Sequence, residues 1–461
     1  MAARKKPLVI VANRLPVSRA RGGRGQQWKR SPGGLVSALT PIVQQRRGGW
    51  VGWTGTTGPA PKPFTLDKIR HFPIALSREQ YQTFYNGFCN GTVWPLYHYA
   101  VREPEYHRHW WRPYVRVNRR FAETTAQAAV EGGIVWIHDY HLQLVPALLR
   151  EIRPDLRIGF FLHIPFPPEE LFGQLPWRRQ ILEGLLGADI VGFQTQNGAQ
   201  NFIRLAQHYA DARVEQGLLK IHDRSVHVDA YPISTDFERY ASLAARPSVI
   251  ERSVELRQQV GRGRTIILGV DRLDYTKGID VRLRAFRELL SRRRELVREC
   301  VLVQLAVPSR ERVSEYQQLR RQVEELVGQI NGEFGEVGMT PVQYLHRELP
   351  AEELVALYRA ADVILVTPFA DGMNLVAKEY VATRLENTGV LILSEFAGAA
   401  QELKTALQVN PHDVDGLAET VDMAISLPSR EVTRRMRRMR EVVSGHTVYD
   451  WADHFMDALS N

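Results

Sequence analysis

Asp362-Val-Ile-Leu-Val-Thr-Pro-Phe-Ala-Asp-Gly-Met-Asn-Leu-Val-Ala-Lys-Glu-Tyr380 reads as strand, tight loop, helix. Val363 to Val366 is an apolar run of the length of a buried strand. Thr367, Pro368 and Asp371-Gly372 are turn and breaker signals. From Asn374 onward the residues favour a helix. Gly372 lets the backbone approach a ligand closely, and the free amides at a helix start suit a phosphate. Asp371 and Glu379 are carboxylates able to accept hydrogen bonds from hydroxyls. Amides for phosphate and carboxylates for hydroxyls together suggest a sugar nucleotide. The alternative is an ordinary strand-to-helix corner with a solvated Asp.

The same unit recurs outward from this stretch. Thr265 to Val270 reads as a strand, followed by Asp271-Arg-Leu-Asp-Tyr-Thr-Lys-Gly278 and a helix from Ile279. Arg272 and Lys277 are cations at the carboxyl end of that strand, placed for a diphosphate. Val301 to Ala306 is a strand ending near Arg310. Upstream, Leu8 to Ala12 is a strand that leads to Asn13-Arg14 and to glycine-rich stretches at Arg21–Gly25 and Ser31–Gly34. These do not spell GxGxxG, so a dinucleotide fingerprint is not supported. Ile134-Val-Trp-Ile-His-Asp-Tyr-His-Leu142 is a strand ending in a polar cluster, and Ile158 to Leu162 is another with His163 at its end. Strands alternating with helices predict parallel sheets covered on both faces.

At 461 residues the chain is too long for one core and predicts two domains. Cys89 and Cys300 are the only cysteines and lack metal-ligand spacing, which fits a reducing, cytoplasmic setting. No apolar run reaches the roughly 18 residues that span a bilayer. The basic start Met1–Lys6 resembles a signal peptide, but the apolar run after it is short and reads as a first strand. The net charge of +9 favours anionic partners. His138, Asp139, His141 and His163 are metal-ligand types, but neighbours on a strand point to opposite faces, so no metal is expected. Core packing is the usual explanation of a Trp, but Trp53, Tyr85 and Trp94 lie beside Gly and Asn rather than in apolar runs, which makes a sugar-binding role more credible. Val313, Tyr316, Leu319, Val323, Leu326 and Ile330 form a helical core stripe. Val432, Met436, Met439 and Val443 form a second stripe, with arginines on its other faces. Asp413 reads as a helix cap, and the domain crossover is placed near Tyr231–Asp236.

Taken together, NRLPV at Asn13, SPGGL at Ser31, GWTG at Gly52, the Tyr85 to Tyr99 segment, WIHDYHL at Trp136, HIPFP at His163, DRLDYTKG at Asp271, DGMNLVAKEY at Asp371 and FAGAA at Phe396 resemble the trehalose-6-phosphate synthase family. That resemblance covers nearly the whole chain. It implies an α/β GT-B fold, two Rossmann-like domains facing across a cleft. The expected division is 1–238 for the acceptor, 239–430 for the donor and a helical segment 431–461 packing back on the first domain.

The resemblance implies a retaining glucosyltransferase that moves glucose from UDP-, GDP- or ADP-glucose to glucose 6-phosphate. Arg14, Trp53, Tyr85, Trp94 and Arg310 would bind the acceptor. Gly33, Gly34, Asp139 and His163 would contact the transferring glucose. Arg272 and Lys277 would hold the diphosphate, Asp371 the sugar hydroxyls, Gly372, Met373, Asn374, Leu375 and Val376 the sugar and phosphate through their amides, and Glu379 the ribose. Asp139, His163, Arg272, Lys277 and Asp371 form the expected catalytic set, with no metal or cofactor. Phe369-Ala370 stands where family members often have leucine and arginine, so the donor base stays open. Pro341 to Arg347, with Tyr344-Leu345-His346, is expected to pass the base pocket. Larger family members add a phosphatase domain, and none is expected after Trp451. A homo-oligomer is expected, with no specific nucleic acid and no membrane partner. Alternatives are a synthase using another acceptor (glucosylglycerol-phosphate synthase or a cyclitol pseudo-glycosyltransferase), a phosphorylase with Lys378 as its Schiff-base lysine, and a non-catalytic sugar-phosphate sensor.

Overall fold

The computed structural model describes residues 7–19, 28–30, 34–261, 263–310 and 313–460. The chain forms two compact units, Met1–Ile233 with Tyr449–Asn461, and Ser234–Val448.

In the first unit the strands are β1 (Leu8–Arg14), β2 (Val17–Arg19), β3 (Trp28–Arg30), β4 (Gly49–Trp53), β5 (Phe64–Leu66), β6 (Ile69–Ile74), β7 (Ile134–His138), β8 (Arg157–Phe161), β9 (Ile190–Phe193), β10 (Arg213–Glu215), β11 (Leu218–Ile221) and β12 (Arg224–Ala230), of which β1, β7, β8 and β9 are the apolar runs of the sequence. Ten of them form one sheet in the order β10-β11-β12-β9-β8-β7-β1-β4-β6-β5. The pairs from β12 to β6 are parallel, and the edges are antiparallel hairpins. Fully buried runs such as Ile134–His138 explain why these strands show no alternation. The strand order reverses direction between β1 and β7. In such sheets ligands bind outside the carboxyl ends of the strands at that point. Arg14 ends β1 and Asp139 follows β7.

The second unit carries β13 (Thr265–Arg272), β14 (Cys300–Val307), β15 (Val342–Leu345), β16 (Val363–Val366), β17 (Val390–Ser394) and β18 (Leu407–Val409). They form a parallel sheet ordered β15-β14-β13-β16-β17-β18. Its switch point lies between β13 and β16, so the loops at Arg272–Gly278 and Thr367–Asn374 border it. The stripe Leu319, Val323 and Ile330 on the helix Ser314–Phe334 packs into the core of this unit. Asp413 caps the helix Val414–Ser426, accepting from the Gly416 amide at 2.9 Å.

The tail differs from the sequence expectation, which kept 431–461 together. The helix Ser429–Gly445 belongs to the second unit. There it buries Met436, Met439 and Val443, and Arg440 donates to the carbonyls of Val381 and Ala382 at the end of the helix Leu375–Thr383. The helix Val448–Ser460 instead gives Trp451 and Phe455 to the first unit. Phe455 stacks on Trp136, ring centroids 4.4 Å apart. Gly159 and Gly192 make room: a Cβ on either would come within 2.7 Å of the Phe455 ring. The buried stripes were legible, but a stripe does not name the surface that covers it.

Candidate active site

The carboxyl ends of β1, β4 and β7 gather an aromatic cluster. The Arg14 guanidinium lies over the Trp53 ring, 4.9 Å from its centroid. Gly55, at φ +88°, leaves that space open, since a Cβ there would sit 2.1 Å from an Arg14 nitrogen. Trp53 is buried and donates from Nε1 to the Thr56 carbonyl at 2.7 Å. Tyr81 and Tyr85 lie beside it, and His141 stacks on Tyr85 at 5.8 Å. Trp94 packs against His98 and Tyr140.

Tyr85 sits on a π-helix, Tyr81–Val93, which sequence reading missed. Such helices are rare and favour functional positions. Here the wide turn places Gly87 and Gly91 against Trp110, where a Cβ would come within 2.6 and 3.0 Å of the indole. Asn90 ties the helix together by donating to the Tyr85 carbonyl at 2.7 Å and accepting from the Tyr140 hydroxyl at 2.9 Å.

Asp139 takes φ 77°, a region that non-glycine residues rarely adopt. The turn is held on both sides. The Asp139 amide donates to the Phe161 carbonyl at 2.8 Å, and Asn118 grips His141 and Leu144 from the helix Arg108–Ala128. The Asp139 carboxylate accepts from the His163 amide at 3.3 Å. The His163 ring meets His138, Nε2 to Nδ1, at 3.1 Å. Burial pushes His163 down to about 3, so it is neutral at pH 7. Gly34 opens the helix Gly34–Gln45. Gly33 and the Gly22–Gly25 loop lie outside the described residues.

In the second unit, Lys277 Nζ donates to Asp371 Oδ2 at 2.6 Å, and Asn374 Nδ2 donates to the same oxygen at 3.1 Å. Asn374, at φ 77°, precedes the helix Leu375–Thr383, and its side chain does not cap it. Amides of Gly372 to Val376 thus border the pair at the positive end of the helix. The Phe396–Ala400 turn latches this loop: Gly398 and Ala399 donate to the carbonyls of Asp371 and Met373 at 3.1 and 2.8 Å. Gly398 is required by contact, since a Cβ would lie 2.0 Å from the Gly372 oxygen.

Arg272 ends β13 with an exposed side chain. Beneath it, buried Arg282 donates to Asp271, Gln304 and Thr367, bracing β13, β14 and the loop after β16. Glu379 accepts from Tyr358 at 3.2 Å and from Tyr240. Burial raises its carboxyl, and those two hydroxyls act the other way. Lys378 is fully buried and donates to Glu402 at 2.8 Å, so its ammonium is committed to an ion pair.

Arg310 lies on the second unit, whereas Arg14, Trp53, Tyr85 and Trp94 lie on the first. It adopts φ 47° and pairs with fully buried Asp274 at 3.1 Å, with a further short contact to the Tyr316 hydroxyl. Asp274, Tyr240 and Tyr358 were not singled out from sequence. Asp274 stands inside the Asp271–Gly278 motif, so the motif held the signal; the tyrosines carried none. Tyr344 and His346 stack at 6.3 Å on and after β15. Among the described residues no group of three or more His, Cys, Asp or Glu side chains could hold a metal ion, and no helix is long and apolar enough to cross a membrane.

The profile of Glycosyltransferase family 20 matches residues 6–461. A trehalose-6-phosphate synthase of Mycobacterium leprae is 53% identical, covering 98% of this chain and 94% of its own. One from Mycolicibacterium smegmatis is also 53% identical, covering 98% and 92%. Among solved structures, a UDP-forming alpha,alpha-trehalose-phosphate synthase from Burkholderia xenovorans in complex with glucose-6-phosphate has a TM-score of 0.90 at 38% identity, covering 99% of this chain and 100% of that one. An E. coli structure bound with UDP-2-fluoro glucose has a TM-score of 0.90 at 35% identity, covering 98% of each chain. The fold is the α/β GT-B type. The chain belongs to glycosyltransferase family 20, the trehalose-6-phosphate synthase family, and is a hexosyltransferase.

Proposed function

We propose that this enzyme transfers glucose from a nucleotide-glucose donor to glucose 6-phosphate, giving α,α-trehalose 6-phosphate and a nucleoside diphosphate. The observation that carries the reading is the Lys277–Asp371 pair beside the start of the helix Leu375–Thr383, which the Asn374 side chain does not cap. A cation, a carboxylate and a row of amides at one strand-end crevice suit a sugar joined to a diphosphate.

In this reading Arg272 and Lys277 receive the diphosphate, Asp371 the glucose hydroxyls, the amides of Gly372 to Val376 the sugar and phosphate, and Glu379 the ribose. Arg14, Trp53, Tyr85, Trp94 and Arg310 bind glucose 6-phosphate. Gly33, Gly34, Asp139 and His163 contact the transferring glucose. The bond from the anomeric carbon to the diphosphate oxygen breaks as the acceptor hydroxyl attacks from the same face. The configuration is retained, and the hydroxyl proton passes to the departing phosphate oxygen. Negative charge grows on the diphosphate, where fixed cations and amides stabilise it without a metal.

The test is product formation from glucose 6-phosphate with UDP-, GDP- and ADP-glucose in parallel, with a chelator present. An α,α-linked phosphorylated disaccharide from one donor supports the reaction and identifies the base. No product with any donor overturns the reading and favours another acceptor or a sugar-phosphate sensor. Oligomeric state, also proposed as a homo-oligomer, is read from light scattering.

A further inference from the structure

His138 ends β7 and is fully buried. It lies against Trp136, ring centroids 4.8 Å apart, and Trp136 is backed by Phe455 and Trp451. Its Nδ1 lies 3.1 Å from His163 Nε2. Both rings are neutral at pH 7, because burial drives their ordinary values down.

A single hydrogen lies between two neutral imidazoles, so two arrangements exist. In the first, His163 Nε2–H donates to His138 Nδ1. His138 must then carry its own hydrogen on Nε2, an atom that is buried with no hydrogen-bond partner among the described residues. In the second, His138 Nδ1–H donates to His163 Nε2, and His138 Nε2 is left as a bare lone pair. Orphaned buried N–H groups are rare in native proteins, and under-satisfied acceptors are less so. The second arrangement is therefore favoured. It leaves His163 with its hydrogen on Nδ1, the ring's remaining hydrogen-bonding atom.

We propose that His138 is a positioning residue that holds His163 in the Nδ1–H tautomer, so that His163 offers a neutral donor to an oxygen of the transferring glucose. The role of His163 rests on the function proposed above; the tautomer rests only on the buried pair. His163 then acts as a hydrogen-bond donor and not as a base, because its Nε2 lone pair is occupied by His138.

Two measurements test this. The first is long-range proton–nitrogen NMR on the full chain labelled with 15N-histidine, with signals assigned through His138→Asn and His163→Gln. The expected pattern is a protonated Nδ1 and a bare Nε2 on His163. A protonated Nε2 overturns the proposal. This readout needs no turnover, so it stands apart from the activity assay and from any failure of the proposed reaction. The second compares His138→Phe with His138→Asn, whose amide can replace the Nδ1–H donor. Partners that fix a histidine tautomer are typically worth about 10–100-fold at metal sites, and a loss of about tenfold in kcat is expected for His138→Phe. The KM values should move little, and His138→Asn should recover most of the rate. Equal loss in both variants, each folded by circular dichroism, or no loss in His138→Phe, overturns it.

Discussion

The Lys277 ammonium and the Asp371 carboxylate, 2.6 Å apart, join the loops that follow neighbouring parallel strands β13 and β16. Both side chains are largely enclosed, with 10% and 15% of their surface exposed. Each therefore fixes the other in place before a ligand arrives. Removing a preorganised donor from such a site typically costs about 10²–10³ in kcat. Lys277→Ala and Asp371→Asn are expected to lose activity on that scale. The double variant should lose little more than either single one, because the pair acts as a unit. Steady-state kinetics on the three proteins checks this, and fully additive losses would contradict it.

Arg310 and Asp274 make a second buried pair, with side chains 6% and 0% exposed. Burial alone would raise the Asp274 carboxyl, but Arg310, Arg272, Lys277 and the Thr276 amide bring it to about 2, below its ordinary 3.8. A carboxyl whose folded value is depressed stabilises the fold fully above the unfolded value. That contribution is lost as pH falls from the ordinary value of 3.8 towards 2. Arg310→Gln should raise the Asp274 value towards or above the ordinary one, so the variant is less stable at pH 7 and loses less of its stability as pH falls than the parent does. Breaking such a pair costs about 3–5 kcal/mol where both charges are buried. Urea midpoints at pH 7, 4 and 3 report both effects. Kinetically, Arg310→Ala should damage use of glucose 6-phosphate much more than donor binding. Equal loss of both would remove Arg310 from the acceptor set.

The neutral histidines give the opposite charge type but the same direction with pH. Burial lowers His163 to about 3 and His138 well below its ordinary 6.5, so the unfolded chain binds these protons first. Their contribution to stability is full above pH 6.5, the ordinary value, and declines as pH falls towards 3. The double variant His138→Asn/His163→Gln should show a shallower fall in unfolding midpoint between pH 7 and 5 than the parent. An unchanged slope would mean that these rings are protonated in the folded protein.

Gly398→Ala tests the latch on the Asp371–Met373 loop. A Cβ there would lie 2.0 Å from the Gly372 oxygen, so the loop or the turn must move. Overpacking of this kind costs about 1–3 kcal/mol. The expected result is weaker donor binding by calorimetry with little change for glucose 6-phosphate. Unchanged donor affinity would show that the loop position is not set by this contact.

Phe455→Ala should cost about 3–5 kcal/mol, the usual range for emptying a buried phenylalanine site. Phe455 is fully buried against Trp136. A thermal shift small enough to match a surface substitution would place the helix Val448–Ser460 outside the core of the first unit.

The readable parts of this chain were those in which local pattern and final structure agree. Leu8–Ala12, Thr265–Val270 and Val363–Val366 are apolar runs that end at polar turns, and each is a central parallel strand. Asp371, Lys277 and Asn374 stood at strand and helix ends, where side chains of one crevice collect. The π-helix at Tyr81–Val93 was not legible, because its register is set by Gly87 and Gly91 meeting Trp110 from another helix. The turn at Asp139 was not legible either. Its φ of 77° is imposed by the Phe161 carbonyl and the Asn118 side chain, both remote in sequence. Of the arginines after Glu431, the sequence showed a charged face. The structure gives Arg435 to the Thr405 carbonyl and Arg440 to the carbonyls of Val381 and Ala382.

Residues 449–461 complete the first unit, yet they follow the whole of the second in the chain. During synthesis, the second unit has every strand it needs before Trp451 and Phe455 leave the ribosome. Until then Trp136, Phe161 and the strand faces at Gly159 and Gly192 lack the cover that Trp451 and Phe455 give them. The usual order has the amino-terminal domain finish first; here the first unit cannot gain residues 449–461 until the second has been synthesised. A nascent chain stalled within residues 234–448 would display an aromatic surface, the kind of feature that recruits chaperones.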